Sequence, residues 1–160
     1  MKVIIVTGTP GTGKTTIARM IEKRGFQYID VNKFIDKYSL CDKYDKERKC
    51  KTVNPNKLNK VLVKLISTSK KDLVIDSHLS HFLPKRHIDL CITTHCNLKE
   101  LKHRLEQRGY DKKKVRENLD AEIFDLCTTE AEKLGHTIMA IDTSKKINVR
   151  KLMQSIRERL

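Results

Sequence analysis

An α/β fold, a five-stranded parallel sheet with helices on both faces, is what the sequence predicts, and three observations predict it. Short apolar runs alternate with stretches of helical periodicity along the chain, the pattern of a parallel sheet wrapped by its crossover helices. Gly8-Thr9-Pro10-Gly11-Thr12-Gly13-Lys14-Thr15 stands between the first apolar run and the first helical pattern, and that strand–loop–helix setting is what the phosphate-loop motif GxxxxGK[ST] requires. The 160 residues are one domain's worth, enough to bury a single core. The prediction is therefore a P-loop nucleotide-triphosphate fold in one domain, residues 1–160.

Each element has its own local reason. Val3-Ile4-Ile5-Val6 is the first strand, and Thr16 to Ile21 the helix after the loop, ending near Gly25 as a C-cap. Residues 26–30 read as a second strand, with a helix start over 31–35. Residues 36–53 mix both charges and lack a core-forming pattern, so they are either a disordered insert or a mobile binding element. Asn54-Pro55 caps a helix whose Leu58, Val61, Leu62, Leu65 and Ile66 keep helical spacing. Leu73-Val74-Ile75-Asp76 reads as a buried parallel strand, and Ile88 to Thr94 as the next. Asn97 with Glu100 makes a capping box for a helix carrying Leu98, Leu101 and Leu105. One long helix is expected through Val115, Leu119, Ile123, Cys127, Ala131 and Leu134, then a strand over 137–142 and a closing helix from Val149 to Leu160.

With 34 Lys+Arg against 20 Asp+Glu, the net charge of +14 favours polyanionic partners, nucleotides or RNA. The five cysteines are odd in number and lack paired CxxC spacing, so they read as core thiols in a reducing, cytoplasmic setting. The first apolar stretch runs straight into the glycine loop, unlike a signal peptide, and no apolar run has the length of a membrane span.

In such a sheet ligands gather at the C-terminal strand ends, here the glycine loop, Asp30, the turn at Asp76–His78 and the loop after Thr94. Backbone N–H groups of the glycine loop and of the helix behind it cradle phosphates, Lys14 reaches the β- and γ-phosphates, and the Thr15 hydroxyl suits Mg²⁺. Asp76 ends an apolar strand, where a carboxylate accepts from Mg²⁺-bound water and from Thr15; a turn or cap role is the alternative. His78 either orients a water or a phosphate in the same cleft or is an exposed loop histidine. A transferring phosphoryl group needs cations around its equatorial oxygens; Arg108, Arg86 and Arg48 are the candidates, although any one of them suits an ordinary solvated surface.

GTPGTGKTT, YDKER at Tyr44–Arg48, IDSH at Ile75–His78, FLPKR at Phe82–Arg86, RLEQRGY at Arg104–Tyr110 and NLDAEIF at Asn118–Phe124 follow one another in order. Together they resemble the archaeal and nuclear type of adenylate kinase, from Met1 to about Asp142. The resemblance implies a nucleoside-monophosphate-kinase-like fold, with ATP and Mg²⁺ as cofactors and AMP as phosphoryl acceptor. It implies ATP-binding roles for Gly11, Gly13, Lys14, Thr15 and Thr16, a Walker-B-like pair in Asp76 and His78, and an ATP contact from Arg108. It makes about 30–53 the NMP-binding region and about 107–117 a short lid. The lid has no cysteine quartet, so no structural zinc is expected. The branch is also implicated in small-subunit ribosome assembly, which implies ribosomal protein and rRNA as partners. Three functions follow: transfer of the ATP γ-phosphoryl to AMP, an ATPase or assembly factor in rRNA processing, or another small-metabolite kinase on the same fold.

Overall fold

The computed structural model describes residues 1–45 and 50–160. Arg48 lies outside the described residues. In chain order the elements are β1 (Val3–Thr7), α1 (Lys14–Glu22), β2 (Gln27–Asp30), α2 (Val31–Lys37), β3 (Cys41–Asp45), β4 (Cys50–Val53), α3 (Pro55–Thr68) and β5 (Leu73–Asp76). Two 3₁₀ turns, Ser80–Phe82 and Lys85–His87, lead to β6 (Leu90–His95), α4 (Leu98–Gln107), α5 (Lys112–Ile123), α6 (Leu126–Lys133), β7 (Ile138–Asp142) and α7 (Val149–Arg157).

The five expected strands form one parallel sheet in the order β2-β5-β1-β6-β7. β1 is central because all five of its residues are apolar or hydroxylic and all are buried. Its side chains alternate between two cores, as a strand's must. Val3 and Ile5 face Val31, Phe34 and Ile35 of α2, Leu58, Leu62 and Ile66 of α3, and Ala131 of α6. Ile4 and Val6 face Ile17, Ala18 and Ile21 of α1 and Leu152, Met153 and Ile156 of α7. Burial of each such large side chain stabilises the fold by about 1.5–3 kcal/mol. Asn54, Asn97 and Asn148 cap α3, α4 and α7 through their side-chain oxygens. At the N-terminal edge of the sheet, Asp89 accepts from the Val3 amide and Lys2 Nζ donates to the Leu160 carbonyl. The C-terminal strand ends lie at the opposite edge.

Two expectations need correction. The single helix expected through 115–134 is two, because Asp125 takes a left-handed turn at φ +47°. No proline or glycine forces that break. The turn brings Glu122 and Asp125 together beside the ring of His95, with Nδ1 at 3.5 and 3.7 Å from their carboxylate oxygens. The 36–53 stretch, expected as a disordered insert or a mobile binding element, contains the antiparallel pair β3–β4, with an irregular register between Cys41 and Lys43, so the first of those alternatives is the one corrected.

Candidate active site

The glycine loop joins β1 to α1 as its motif requires, and two glycines are there for stated reasons. A Cβ on Gly8, at φ +141°, would meet Thr94 Oγ1 at 2.5 Å, so only glycine lets the loop lie against the end of β6. A Cβ on Gly11, at φ +95°, would strike Leu101 of α4 at 2.8 Å. Gly13 stands at the left-handed cap position before Lys14.

Lys14 is half-buried under this loop and donates to the carbonyls of Gly8 (2.8 Å) and Thr9 (3.0 Å). Desolvation pushes its pKa down to about 8, against the pull of the Asp76 carboxylate. A partly desolvated ammonium folded back on its own loop is poised to exchange those carbonyls for phosphate oxygens. Thr15 donates to Asp76 Oδ2 at 2.6 Å, and Tyr28 donates to the same oxygen at 2.9 Å. Burial and then Asp76 raise the Tyr28 phenol far above its ordinary range, so it stays a donor. The Arg19 guanidinium covers the Tyr28 ring at 3.8 Å. The Thr15 hydroxyl and the Asp76 carboxylate are hard oxygen donors in contact at the loop's mouth, and such a pair fits Mg²⁺, which takes few protein ligands and keeps several waters.

His78 sits exposed just past β5. The protein around its ring, then the nearby Lys14 ammonium and His81, lower its pKa, so it is neutral at pH 7. Arg108 ends α4 and lines a cavity of about 350 Å³ with Gly11, Thr16, Arg104, Thr143 and Lys145. The structure thus brings Gly11, Gly13, Lys14, Thr15, Thr16, Asp76, His78 and Arg108 around one loop. It does not bring Arg86 there. That side chain lines a hollow with Met1, Val3 and Asp89 at the N-terminal edge of the sheet, because the 77–89 segment has by then run back down the molecule.

Sequence reasoning missed the groups that hold the loop. Thr143 donates to the Thr12 carbonyl at 2.7 Å, and Arg104 donates to the Thr143 carbonyl at 3.2 Å while bonded to Glu100 at 2.9 Å. Burial alone would raise the Glu122 carboxyl, but hydrogen bonds from His95, Thr9 and the Cys96 amide hold it below the usual range. Beneath the loop, the buried His81 links Thr7 (2.8 Å from Nδ1) to Glu130 (2.9 Å from Nε2). Apart from Glu100 with Arg104, one helical turn apart, nothing local in the sequence announces these pairs, since Thr143 lies 131 residues from Thr12.

The chain is similar to several known proteins. A family model described as an AAA domain matches residues 4–125. A Methanocaldococcus jannaschii protein named "Putative adenylate kinase" is 38% identical over 144 residues, covering 89% of this chain and 77% of its own length. The "Adenylate kinase isoenzyme 6 homolog" of Caenorhabditis elegans is 33% identical over 129 residues, covering 80% and 71%. The solved structure of shikimate kinase from Acinetobacter baumannii in complex with shikimate matches with a TM-score of 0.66 over 99% of this chain and 92% of that one. At 16% identity that likeness is one of fold. Among the described residues, no helix is long and apolar enough to cross a membrane.

Proposed function

The chain belongs to the adenylate-kinase-like family of P-loop proteins, and from that premise we propose that it is a kinase that moves the γ-phosphoryl of ATP onto AMP, giving two ADP. The observation that carries this reading is the contact of Thr15 with Asp76 at 2.6 Å beside a desolvated Lys14. Lys14 holds the β- and γ-phosphates, and its charge offsets the negative charge that spreads over the transferring group. The Thr15 hydroxyl, and Asp76 through water, would hold Mg²⁺, which would supply further charge neutralisation. Tyr28 donates to Asp76 and keeps its carboxylate aimed at that position. The cavity beside Thr16 and Arg108 takes the rest of ATP, with Arg108 on its phosphates. His78, neutral at the mouth, orients the attacking oxygen or an incoming phosphate. In this reading residues 30–53 form the AMP-binding region, with Arg48 as a phosphate contact, and 107–117 form the lid. Closure of both keeps water from the γ-phosphate until AMP is in place. The free thiols of Cys91, Cys96 and Cys127 suit a cytoplasmic setting.

A second reading, in which the nucleotide cycle serves small-subunit ribosome maturation with rRNA or a ribosomal protein as partner, is favoured by the net charge of +14. ADP formation measured with and without AMP separates the two. ADP that appears only with AMP supports the kinase, whereas equal phosphate release without AMP replaces it with an ATPase.

A further inference from the structure

Six of the chain's ten arginines form two contrasting sets of three. Arg19, Arg104 and Arg116 each carry an acid one helical turn away and pair with it, on Glu22 at 2.8 Å, Glu100 at 2.9 Å and Asp120 at 2.9 Å. Arg24, Arg150 and Arg157 have no acid three or four residues to either side. Among the described residues, none of the three has an ion pair or a side-chain hydrogen bond. Yet all three line one cavity of about 600 Å³ between the end of α1 and the length of α7. The acid that shares the cavity, Glu158, accepts from Gln154 at 3.0 Å.

Three exposed arginines thus border one concavity with a single acid among them, an excess of positive charge that a bound anion would offset. Arg150 and Arg157 are seven residues apart, two turns on one face of α7 and about 10 Å along its axis. Met153 and Gln154 line the cavity between them, and Arg24 borders it from α1. The spread is too long for one small anion. Further basic residues adjoin these three in the chain, Lys23 beside Arg24, Lys151 beside Arg150 and Arg159 two past Arg157. Planar guanidinium forks match phosphate oxygens. No aromatic side chain lines the cavity, so bases are not stacked there. None of the large exposed apolar residues borders it either, which leaves a bilayer nothing to take up. The cavity is separate from the nucleotide cleft, since α7 ends at the N-terminal edge of the sheet, where Lys2 holds the Leu160 carbonyl.

The geometry points to a docking groove for the phosphodiester backbone of a single nucleic-acid strand along α7 and the end of α1. This rests on the second reading above, that the chain has an RNA partner, and gives that partner its surface. The test is fluorescence anisotropy of a short uridine-only RNA on the whole protein and on the Arg150→Gln/Arg157→Gln double variant, from about 50 to 200 mM salt. Three phosphate contacts predict a log–log salt slope of about −2 for the unsubstituted protein, at roughly 0.7 per contact on a single strand. The variant is expected to bind at least about tenfold more weakly, with a slope nearer −0.7. Its circular dichroism and AMP-dependent ADP formation stay unchanged. The matching DNA is expected to show the same dependence, because the contact is to phosphates. If the unsubstituted protein binds RNA and the variant binds it equally well, the groove is wrong while the RNA partner stands. If the unsubstituted protein binds no RNA, the partner falls and the groove with it. Tighter, arginine-dependent binding of an oligoglutamate or of phosphatidylserine vesicles would also overturn it, by assigning the groove to an acidic peptide or a membrane.

Discussion

The two charge-rich segments beside the cleft, 30–53 and 107–117, look alike in composition and are held in different ways. Segment 107–117 belongs to a helical hairpin with a core of its own, in which Val115, Tyr110 and Leu119 pack on Leu101, Leu105 and Cys96. It is also tied to the phosphate loop, since Leu101 and Leu105 lie against Gly11 and Arg104 reaches Thr143. Among the described residues, the hairpin at 41–53 meets the body near its two ends. Leu40 and Val53 pack on the edge of the main core, and Asp42 pairs with Lys57. Charge density therefore does not decide how firmly a segment is held. A few apolar residues at helical spacing do: they hold 107–117 to the phosphate loop, whereas the described contacts of 41–53 with the body come from Val53 and Asp42.

The largest expected effect lies where the two sides meet. Lys14→Ala removes the cation on the shared phosphate chain, and about 10²–10³-fold of ADP formation goes with it, as for a lost transition-state donor. The side chain is not part of either core, so circular dichroism should be unchanged. A variant that is inactive because it is unfolded would contradict the site.

Next in size is a test of the comparison itself. Leu105→Ala empties part of the small core and should cost about 2–5 kcal/mol, read as a lowered midpoint in urea, and should raise KM for ATP. Leu40→Ala, at a half-buried position, should cost less and raise KM for AMP instead. Equal losses of stability, or the same KM affected by both, would show that the two segments are held alike.

The sequence made this contrast only partly legible. Hydrophobic periodicity and asparagine caps located the five strands of the parallel sheet and the starts of α3 and α4, because those depend on neighbours within one or two turns. The loop, Thr15 and Asp76 were legible because a motif and a strand end locate them. Tyr28 was not, since its partner Asp76 lies 48 residues away and is brought near only by the pairing of β2 with β5. The break at Asp125 was invisible for the same reason: the apolar period runs through it, and the balance is tipped by His95 on another strand.

Tyr28→Phe is the next smaller effect. It removes one of two donors to Asp76 and leaves the ring under Arg19 in place. The loss of a hydrogen bond to a charged group is expected to cost about 1.5–3 kcal/mol at most, seen as a higher Mg²⁺ requirement for ADP formation. An unchanged Mg²⁺ dependence would mean that Thr15 alone sets the carboxylate.

The smallest effect concerns the turn that joins α5 to α6. The hydrogen bond to Glu122, and then the charges of Asp125, Glu122 and Asp142, raise the pKa of His95 despite its partial burial. A histidine raised in the folded state contributes stability that is complete below its unfolded value of about 6.5 and is lost as pH climbs through the folded value. His95 is partly exposed, at 28% of its side chain, so the gain should be under about 1 kcal/mol. His95→Gln should therefore be less stable than the unsubstituted protein at about pH 6 and nearly equal to it at about pH 8. At the lower pH its hydrogen exchange should rise in residues 112–123, which the Glu122 contact holds against the loop, and stay unchanged in residues 41–45. A stability gap that is the same at both pH values would remove the ion pair as the reason for the turn. Faster exchange in both segments would mean that the two sides of the cleft are not held independently.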